Sequence, residues 1–122
     1  MKSKIVLIYP PQTIDTPPVS YNTPVGLLYI GSFLKEKGYS VKLIDCLVEE
    51  DYEKKIFNEV PDALCVGVYV MSCHVRNLLP ILDRIRKEHP KVKIVLGGPH
   101  PTLFPKETAA DSAVDFVVKD EG

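Results

Sequence analysis

The chain has 122 residues, 45% of them hydrophobic and 25% charged, enough for one soluble domain with a single core and no need of metal or disulfide staples. A formal net charge of −1 leaves no basic excess that would argue for nucleic acid or an anionic membrane surface. No stretch approaches the length of a membrane span, and the apolar run after Met1 ends at Tyr9-Pro10-Pro11, too short for a secretory core, so a cytoplasmic protein is expected.

Cys46, Cys65 and Cys73 are an odd set without close spacing, which argues against a disulfide framework and against a C-x-x-C zinc or iron–sulfur site. Cys65 falls in an apolar strand pattern and reads as a small core residue. Cys73 and His74 are adjacent, and sequence neighbours on a strand or helix do not ordinarily chelate one metal, so no metal site is expected.

Ile5-Val6-Leu7-Ile8-Tyr9 is a continuous apolar run, the pattern of a strand buried on both faces. A long loop from Pro10 to Pro24 follows, and long irregular loops in small domains tend to carry function. Thr23 then suits an N-cap and Pro24 the first position of a helix. Leu27, Leu28, Ile30, Phe33 and Leu34 supply its wide apolar stripe, and Gly38 closes it. Val41 to Asp45 reads as a second strand, Asp51 to Glu59 as a short acidic helix, and Ala63 to Met71 as a third strand. A helix over roughly 73–89 carries Val75, Leu78, Leu79, Leu82 and Ile85 on one face, with Pro80 marking a kink or a later start. Val92 to Leu96, a short helix from Phe104 to Asp111, and Val114 to Val118 complete the series.

Strands alternating with helices at these spacings predict an α/β fold of flavodoxin-like (Rossmann-like) type, a three-layer sandwich around a five-stranded parallel sheet of order 2-1-3-4-5. Its binding crevice is expected at the carboxyl ends of strands one, three and four. A fifth helix would ordinarily cover the last strand. Residues 1–122 are therefore expected to be one domain cut from a longer polypeptide, or one that a partner completes.

Several ligands are disfavoured at once. The turn after strand one, Pro10-Pro11-Gln12-Thr13, has no G-x-G-x-x-G for a dinucleotide. Its prolines remove the amide donors a flavin phosphate loop requires. A receiver domain's acidic pair is missing after strand one, as is its aspartate after strand three, and no P-loop is present. What remains is Val95-Leu96-Gly97-Gly98-Pro99-His100-Pro101-Thr102, where a glycine pair ends a buried strand and leaves backbone without Cβ atoms at the place where open α/β sheets bind ligands. A simple tight turn is the competing explanation.

With Pro24-Val25-Gly26-Leu27-Leu28-Tyr29-Ile30, Val66-Gly67-Val68-Tyr69-Val70-Met71, the Gly97–Thr102 run and Val114-Asp115-Phe116-Val117-Val118 leading into Glu121-Gly122, the chain resembles the N-terminal cobalamin-binding domain of cobalamin-dependent radical SAM proteins. The resemblance implies that Gly97 and Gly98 admit the cofactor's nucleotide tail, with Pro99, His100 and Thr102 beside it. A Ser-x-Leu element would fall on Tyr69-Val70-Met71, with Ser72 the nearest hydroxyl. Anchored on Gly26, an Asp-x-His-x-x-Gly element would fall on Tyr21 to Gly26. Thr23 takes the place of its cobalt-binding histidine and is a poor ligand by comparison. Cobalamin is accordingly expected with its tail displaced and no histidine of this loop beneath the cobalt.

Plainer roles stand beside these. His100 can be an exposed loop histidine, Thr102 an N-cap for the helix that follows, and Gly26 an aid to helix–sheet packing. Tyr69 and Met71 can be core residues, and Tyr21 and Tyr29 can shield the sheet top or meet a corrin. The whole protein would pair this module with a downstream radical SAM domain bearing S-adenosylmethionine and an iron–sulfur cluster. That domain would act by methyl transfer or tetrapyrrole cyclase-like chemistry on a small-molecule substrate, and the segment itself would not be an enzyme. The alternative is a degenerate structural or docking domain that no longer binds cobalamin. A free-standing FMN or nucleotide binder is a third, weaker possibility.

Overall fold

A computed structural model describes residues 3–11, 25–71 and 75–118. Its elements are β1 (Lys4–Tyr9), α1 (Val25–Glu36), β2 (Ser40–Asp45), α2 (Tyr52–Glu59), β3 (Ala63–Tyr69), α3 (Val75–Glu88), β4 (Lys93–Gly97), α4 (Pro99–Leu103), α5 (Pro105–Ala109) and β5 (Phe116–Val117). The five strands form one all-parallel sheet in the order β2-β1-β3-β4-β5, the flavodoxin-like arrangement that the alternation of patterns predicts.

Successive side chains of a strand point to opposite faces, so the sheet sorts its residues into two cores. Val6, Ile8, Ile44, Val66, Val68, Ile94 and Leu96 face α2 and α3. There Ile56 and the regularly spaced Leu78, Ile81, Leu82 and Ile85 bury against them. Ile5, Leu7 and Tyr9 point the other way, onto Leu27 of α1. Because α1 packs over β2 and β1, the same face of β3, β4 and β5 carries no helix among the described residues.

The first helix is narrower in its contact than its sequence stripe suggested. Leu27 is buried and Leu34 half-buried, and Gly31 lets the helix settle on Val41 and Leu7, whose side chains lie 3.5 and 3.6 Å from where a Cβ would be. Leu28, Ile30 and Phe33 stay exposed, since a cylinder on a flat sheet buries only the side that touches it. Gly38 does close the helix, at φ +95°. The proposed caps Thr23 and Pro24 lie outside the described residues.

Two further differences sit late in the chain. Pro80 lies inside a single helix that begins by Val75, on its exposed side, where a missing N–H is cheapest. The expected helix from Phe104 to Asp111 is present as the shorter α5, and an additional short helix, α4, precedes it, each opened by a proline at its first position. The fifth strand has shrunk to two residues.

That short strand is held by charge. Arg86, near the end of α3, donates to the carbonyls of Pro90 (3.0 Å), Val92 (3.2 Å) and Ala113 (3.2 Å) and pairs with the Asp115 carboxylate. Asp115 also accepts the Ile94 N–H at 2.8 Å. Burial pushes the Asp115 carboxyl up, but the Ile94 N–H and the Arg86 guanidinium outweigh it and hold the group below the ordinary aspartate range. A carboxylate with a depressed folded value stabilises the fold above its unfolded value, and that contribution fades as pH falls through the folded one. Asp115→Asn should therefore lower stability by about 1–3 kcal/mol at neutral pH. In denaturant titrations the gap to wild type should narrow below about pH 4. A gap that does not change with pH would contradict the charge-based account.

Candidate cofactor site at the carboxyl edge of the sheet

The crossover through α1 leaves β1 on one face of the sheet, while those through α2 and α3 lie on the other. The carboxyl ends of β1 and β3 are therefore the topological switch point, where open α/β sheets bind ligands. Tyr9 and Tyr69 end these strands. Their rings stack with centroids 5.5 Å apart and planes 9° from parallel. Both belong to the face that α1 covers in part.

Beyond Tyr69 the next strand offers no side chain. Tyr69 is paired with Gly97, so the missing Cβ of Gly97 lies beside the tyrosine on the same face. Among the described residues a Cβ built there meets Val118 alone, at 3.8 Å, and Gly97 is half-exposed. The result is a short trough with Tyr69 on one side, Val118 on the other and backbone as its floor.

Gly98 does different work. Its φ is +102°, and a Cβ there would come within 3.0 Å of the Val70 N and O atoms and 3.1 Å of the Tyr69 ring. The Val70 N–H donates to the Gly97 carbonyl (2.8 Å), and the His100 N–H donates to the Val70 carbonyl (3.0 Å). Gly98 thus lets β3 and β4 close on each other at their ends, and its packing is filled by this chain's own atoms.

The Gly-Gly-Pro-His-Pro-Thr run is divided between the two faces. Pro99 opens α4 at the surface. His100 lies on the α3 side, against the Phe104 ring (5.1 Å between centroids), and lines a cavity of about 120 Å³ with Val70, Leu78, Leu96, Glu107 and Val114. That places it across the sheet from the Gly97 trough, and it is half-buried rather than an exposed loop residue. Thr102 does not cap the helix that follows. It lies within α4, and its hydroxyl donates to the Gly98 carbonyl at 2.9 Å, because Pro99 has already opened the helix three residues earlier. Gly26, in the first exposed turn of α1, has nothing among the described residues within 4 Å of its Cβ position, whereas Gly31 lies against Val41 and Leu7. Met71 is half-buried just past β3, and Tyr29 is 75% exposed. Thr23, Ser72, Glu121 and Gly122 lie outside the described residues, as does Tyr21.

Of the described thiols, Cys46 just past β2 and Cys65 in the first half of β3 are poor nucleophiles, while Cys73 and His74 lie outside the described residues. Burial, followed by the charges of Asp45, Glu49 and Glu53, pushes Cys46 up to about 12, and burial raises Cys65. Among the described residues no group of three His, Cys, Asp or Glu side chains is placed to hold a metal ion. A side-chain-free strand end beside stacked aromatic rings suits a bound organic group.

Comparison with known proteins gives that group a class. The family model of the B12 binding domain matches residues 14–122. The chain belongs to this family. The B12-binding domain here is similar to an uncharacterized methyltransferase of Pyrococcus horikoshii (32% identity, 98% of this chain, 27% of that protein). It is also similar to a cytidylyl-2-hydroxyethylphosphonate methyltransferase of Streptomyces wedmorensis (28%, 98% and 26%) and an anaerobic magnesium-protoporphyrin IX monomethyl ester cyclase of Synechocystis (29%, 98% and 25%). The chain spans about a quarter of the length of these curated relatives. A crystal structure of a pilus assembly-related protein of Burkholderia pseudomallei superposes with a TM-score of 0.51 at 10% identity, over 94% of this chain and 76% of that one, which shows the fold alone.

The sequence missed Tyr9 as a site residue, because the end of an apolar run reads as core. Only its pairing opposite Tyr69 brings it to the edge. The two glycines should also separate by experiment. Gly98→Ala must place a Cβ against the Val70 backbone at positive φ, and should cost about 1–3 kcal/mol in chemical denaturation. Gly97→Ala should change stability far less. Equal losses at the two positions would contradict this division of roles.

Proposed function

We propose that this B12-binding domain holds cobalamin at the carboxyl edge of its sheet and presents it to a catalytic domain of radical SAM type elsewhere in the same polypeptide. The observation that carries the reading is the half-exposed Gly97 position between Tyr69 and Val118, a cradle that a side chain would fill. The family match supplies the identity of the guest. Cobalamin, when bound, supplies the methyl-transfer or radical chemistry.

This chain's own residues seat and shield. Gly97 leaves room for the nucleotide tail to lie against backbone, and Gly98 fixes the shape of the ledge from beneath. Tyr69 and Tyr9 screen the switch point from water, and Gly26 opens the first turn of α1 at the rim. Met71, Pro99 and Thr102 frame the same edge, with Ser72, Glu121 and Gly122 assigned to it by sequence resemblance. Thr23 stands where related domains carry a cobalt-binding histidine, and His100 is across the sheet. The cofactor is therefore read as histidine-off, with its tail displaced from the metal.

In the full protein the reading extends to S-adenosylmethionine and an iron–sulfur cluster in the remaining chain, acting on a small-molecule substrate. The methyltransferases and the cyclase among the relatives favour methyl transfer or a cyclase-like oxidation as the reaction class. The substitution of tyrosine at the Ser-x-Leu position is what favours the competing account, a domain that keeps the fold for docking alone.

Hydroxocobalamin titrated into the full-length protein should shift the cofactor's visible bands and saturate at one equivalent per chain. Gly97→Leu should weaken that binding on the order of tenfold or more by filling the trough, while leaving the melting temperature close to wild type. A wild-type protein that leaves the cofactor spectrum unchanged and elutes without it would establish the docking account instead.

A further inference from the structure

Helices α1, α2 and α3 each turn one side to the sheet, but α1 differs from the other two in what it turns to solvent. The exposed positions of α2 are Glu53, Lys54, Lys55 and Asn58, and those of α3 are charged apart from Pro80. In α1 no charge occurs before Lys35, and Leu28, Tyr29, Ile30 and Phe33 are 44%, 75%, 44% and 58% exposed. A helix that is apolar all round belongs to an interior. The sheet supplies one side of that interior, through Leu27, Gly31 and Leu34. The outer side is ordered as a seam: Gly26, Tyr29, Ile30 and Phe33 recur at i, i+3, i+4 and i+7. One turn beyond, the Lys37 ammonium lies 5.4 Å from the centre of the Phe33 ring and closes the stripe at that end. Gly26 leaves the other end low, so a neighbour can come close to the α1 backbone there. Because α1 links two parallel strands it runs back from the carboxyl edge of the sheet, which puts its Gly26 end beside the cofactor edge.

The size of the stripe decides what covers it. With about 200 Å² for each aromatic side chain, Tyr29, Ile30 and Phe33 together offer roughly 350 Å² of open apolar surface. Separate chains need about 800 Å² from each partner for a stable contact, so the stripe is too small to hold a second copy on its own. Counted on both partners it is about 700 Å², inside the ~600–1,500 Å² range of contacts between domains of one chain. A tether makes so small a seam sufficient, because it holds the partner at a high effective concentration. The curated relatives match 98% of this chain with only about a quarter of their own length, so polypeptides of their size have ample chain to supply that partner. Resting on the reading that a catalytic domain lies elsewhere in the same polypeptide, we infer that the outer stripe of α1 is the seam on which that domain docks. An apolar helix of the catalytic domain lies along Tyr29, Ile30 and Phe33 and approaches closest over Gly26. Helix α1 is then an interior helix of the whole protein, fixing the catalytic domain next to the edge where the cofactor is held.

Thiol labelling of the full-length protein reads the seam without recourse to activity. Tyr29→Cys and Ile30→Cys are each treated with a maleimide and followed by peptide mass, against Lys87→Cys on the exposed side of α3. Each rate is divided by that of the same variant in denaturant, which removes differences in intrinsic thiol reactivity. Under a docked domain both α1 thiols should react about tenfold or more slowly than Lys87→Cys, since reaction requires the seam to open. Ile30→Cys keeps both aromatic rings, so it reports on the seam with its anchors intact. Adding Phe33→Asp to Ile30→Cys should bring the rate to within about twofold of Lys87→Cys by burying an unpaired charge in the seam, with far-UV circular dichroism unchanged. If the α1 thiols of both single variants react as fast as Lys87→Cys, the docking assignment is overturned. Protection that disappears on dilution, in a protein that sediments as a dimer, assigns the face to a second copy and overturns it equally. Hydroxocobalamin titrated into the same samples separates this inference from the reading beneath it. Protection without cofactor binding leaves the seam standing and removes the cobalamin reading, and binding without protection does the reverse.

Discussion

The carboxyl edge of the sheet takes its shape from the close approach of Gly98 to the backbone of Val70. With a positive φ and no side chain, this residue lies so near the end of β3 that a Cβ on it would come within 3.0 Å of the Val70 N and O atoms. The ladder between β3 and β4 then runs one step past the last regular pair, through the Val70 N–H to the Gly97 carbonyl and the His100 N–H to the Val70 carbonyl. The Gly98 carbonyl is itself held by the Thr102 amide at 3.2 Å and by the Thr102 hydroxyl. These contacts turn the chain out of the sheet at one place. Gly97 remains on the strand and His100 passes to the opposite face.

That division gives the molecule two unlike sides. The side under α2 and α3 is the larger apolar core, with the His100-lined cavity at its edge, and Arg86 and Asp115 fasten the end of α3 to β4 and β5 there. On the opposite side α1 packs over β1 and β2, and among the described residues β3 and β4 present half-buried positions such as Cys65, Gly67, Val95 and Gly97. Phe116 on that side, paired with Val95, is 57% exposed.

How much of this was legible in the sequence follows from the range of each interaction. The strands announced themselves as apolar runs, and their order came from the alternation with helices, because crossover handedness and burial leave few arrangements. Gly38 and the proline openings of α4 and α5 obey local rules and could be read residue by residue. The exposed half of the α1 stripe could not be, since Leu28, Ile30 and Phe33 have the same character as Leu27 and differ only in which side meets the sheet. Thr102 was misread for a related reason: a threonine ahead of a helix pattern suggests a cap, but Pro99 had moved the start of the helix earlier. His100 sits two residues from Gly98 in a run that looks like one motif, and a single turn sends it through to the other face.

The Tyr9–Tyr69 pair shows what sequence resemblance alone would conceal. Judged against the family pattern, Tyr69 is a departure, a bulky ring where a small hydroxyl residue is usual, and departures of that kind ordinarily count against a binding site. The structure changes the weight of that argument. A bulky residue blocks a site only if its volume lies where the ligand must go; Tyr69 stacks on Tyr9 of β1, and the paired Gly97 position is half-exposed. The partner that makes this possible lies sixty residues earlier, on a strand that only the sheet order brings alongside. A residue that reads as a lone departure in one dimension is, in three, one half of a stacked pair.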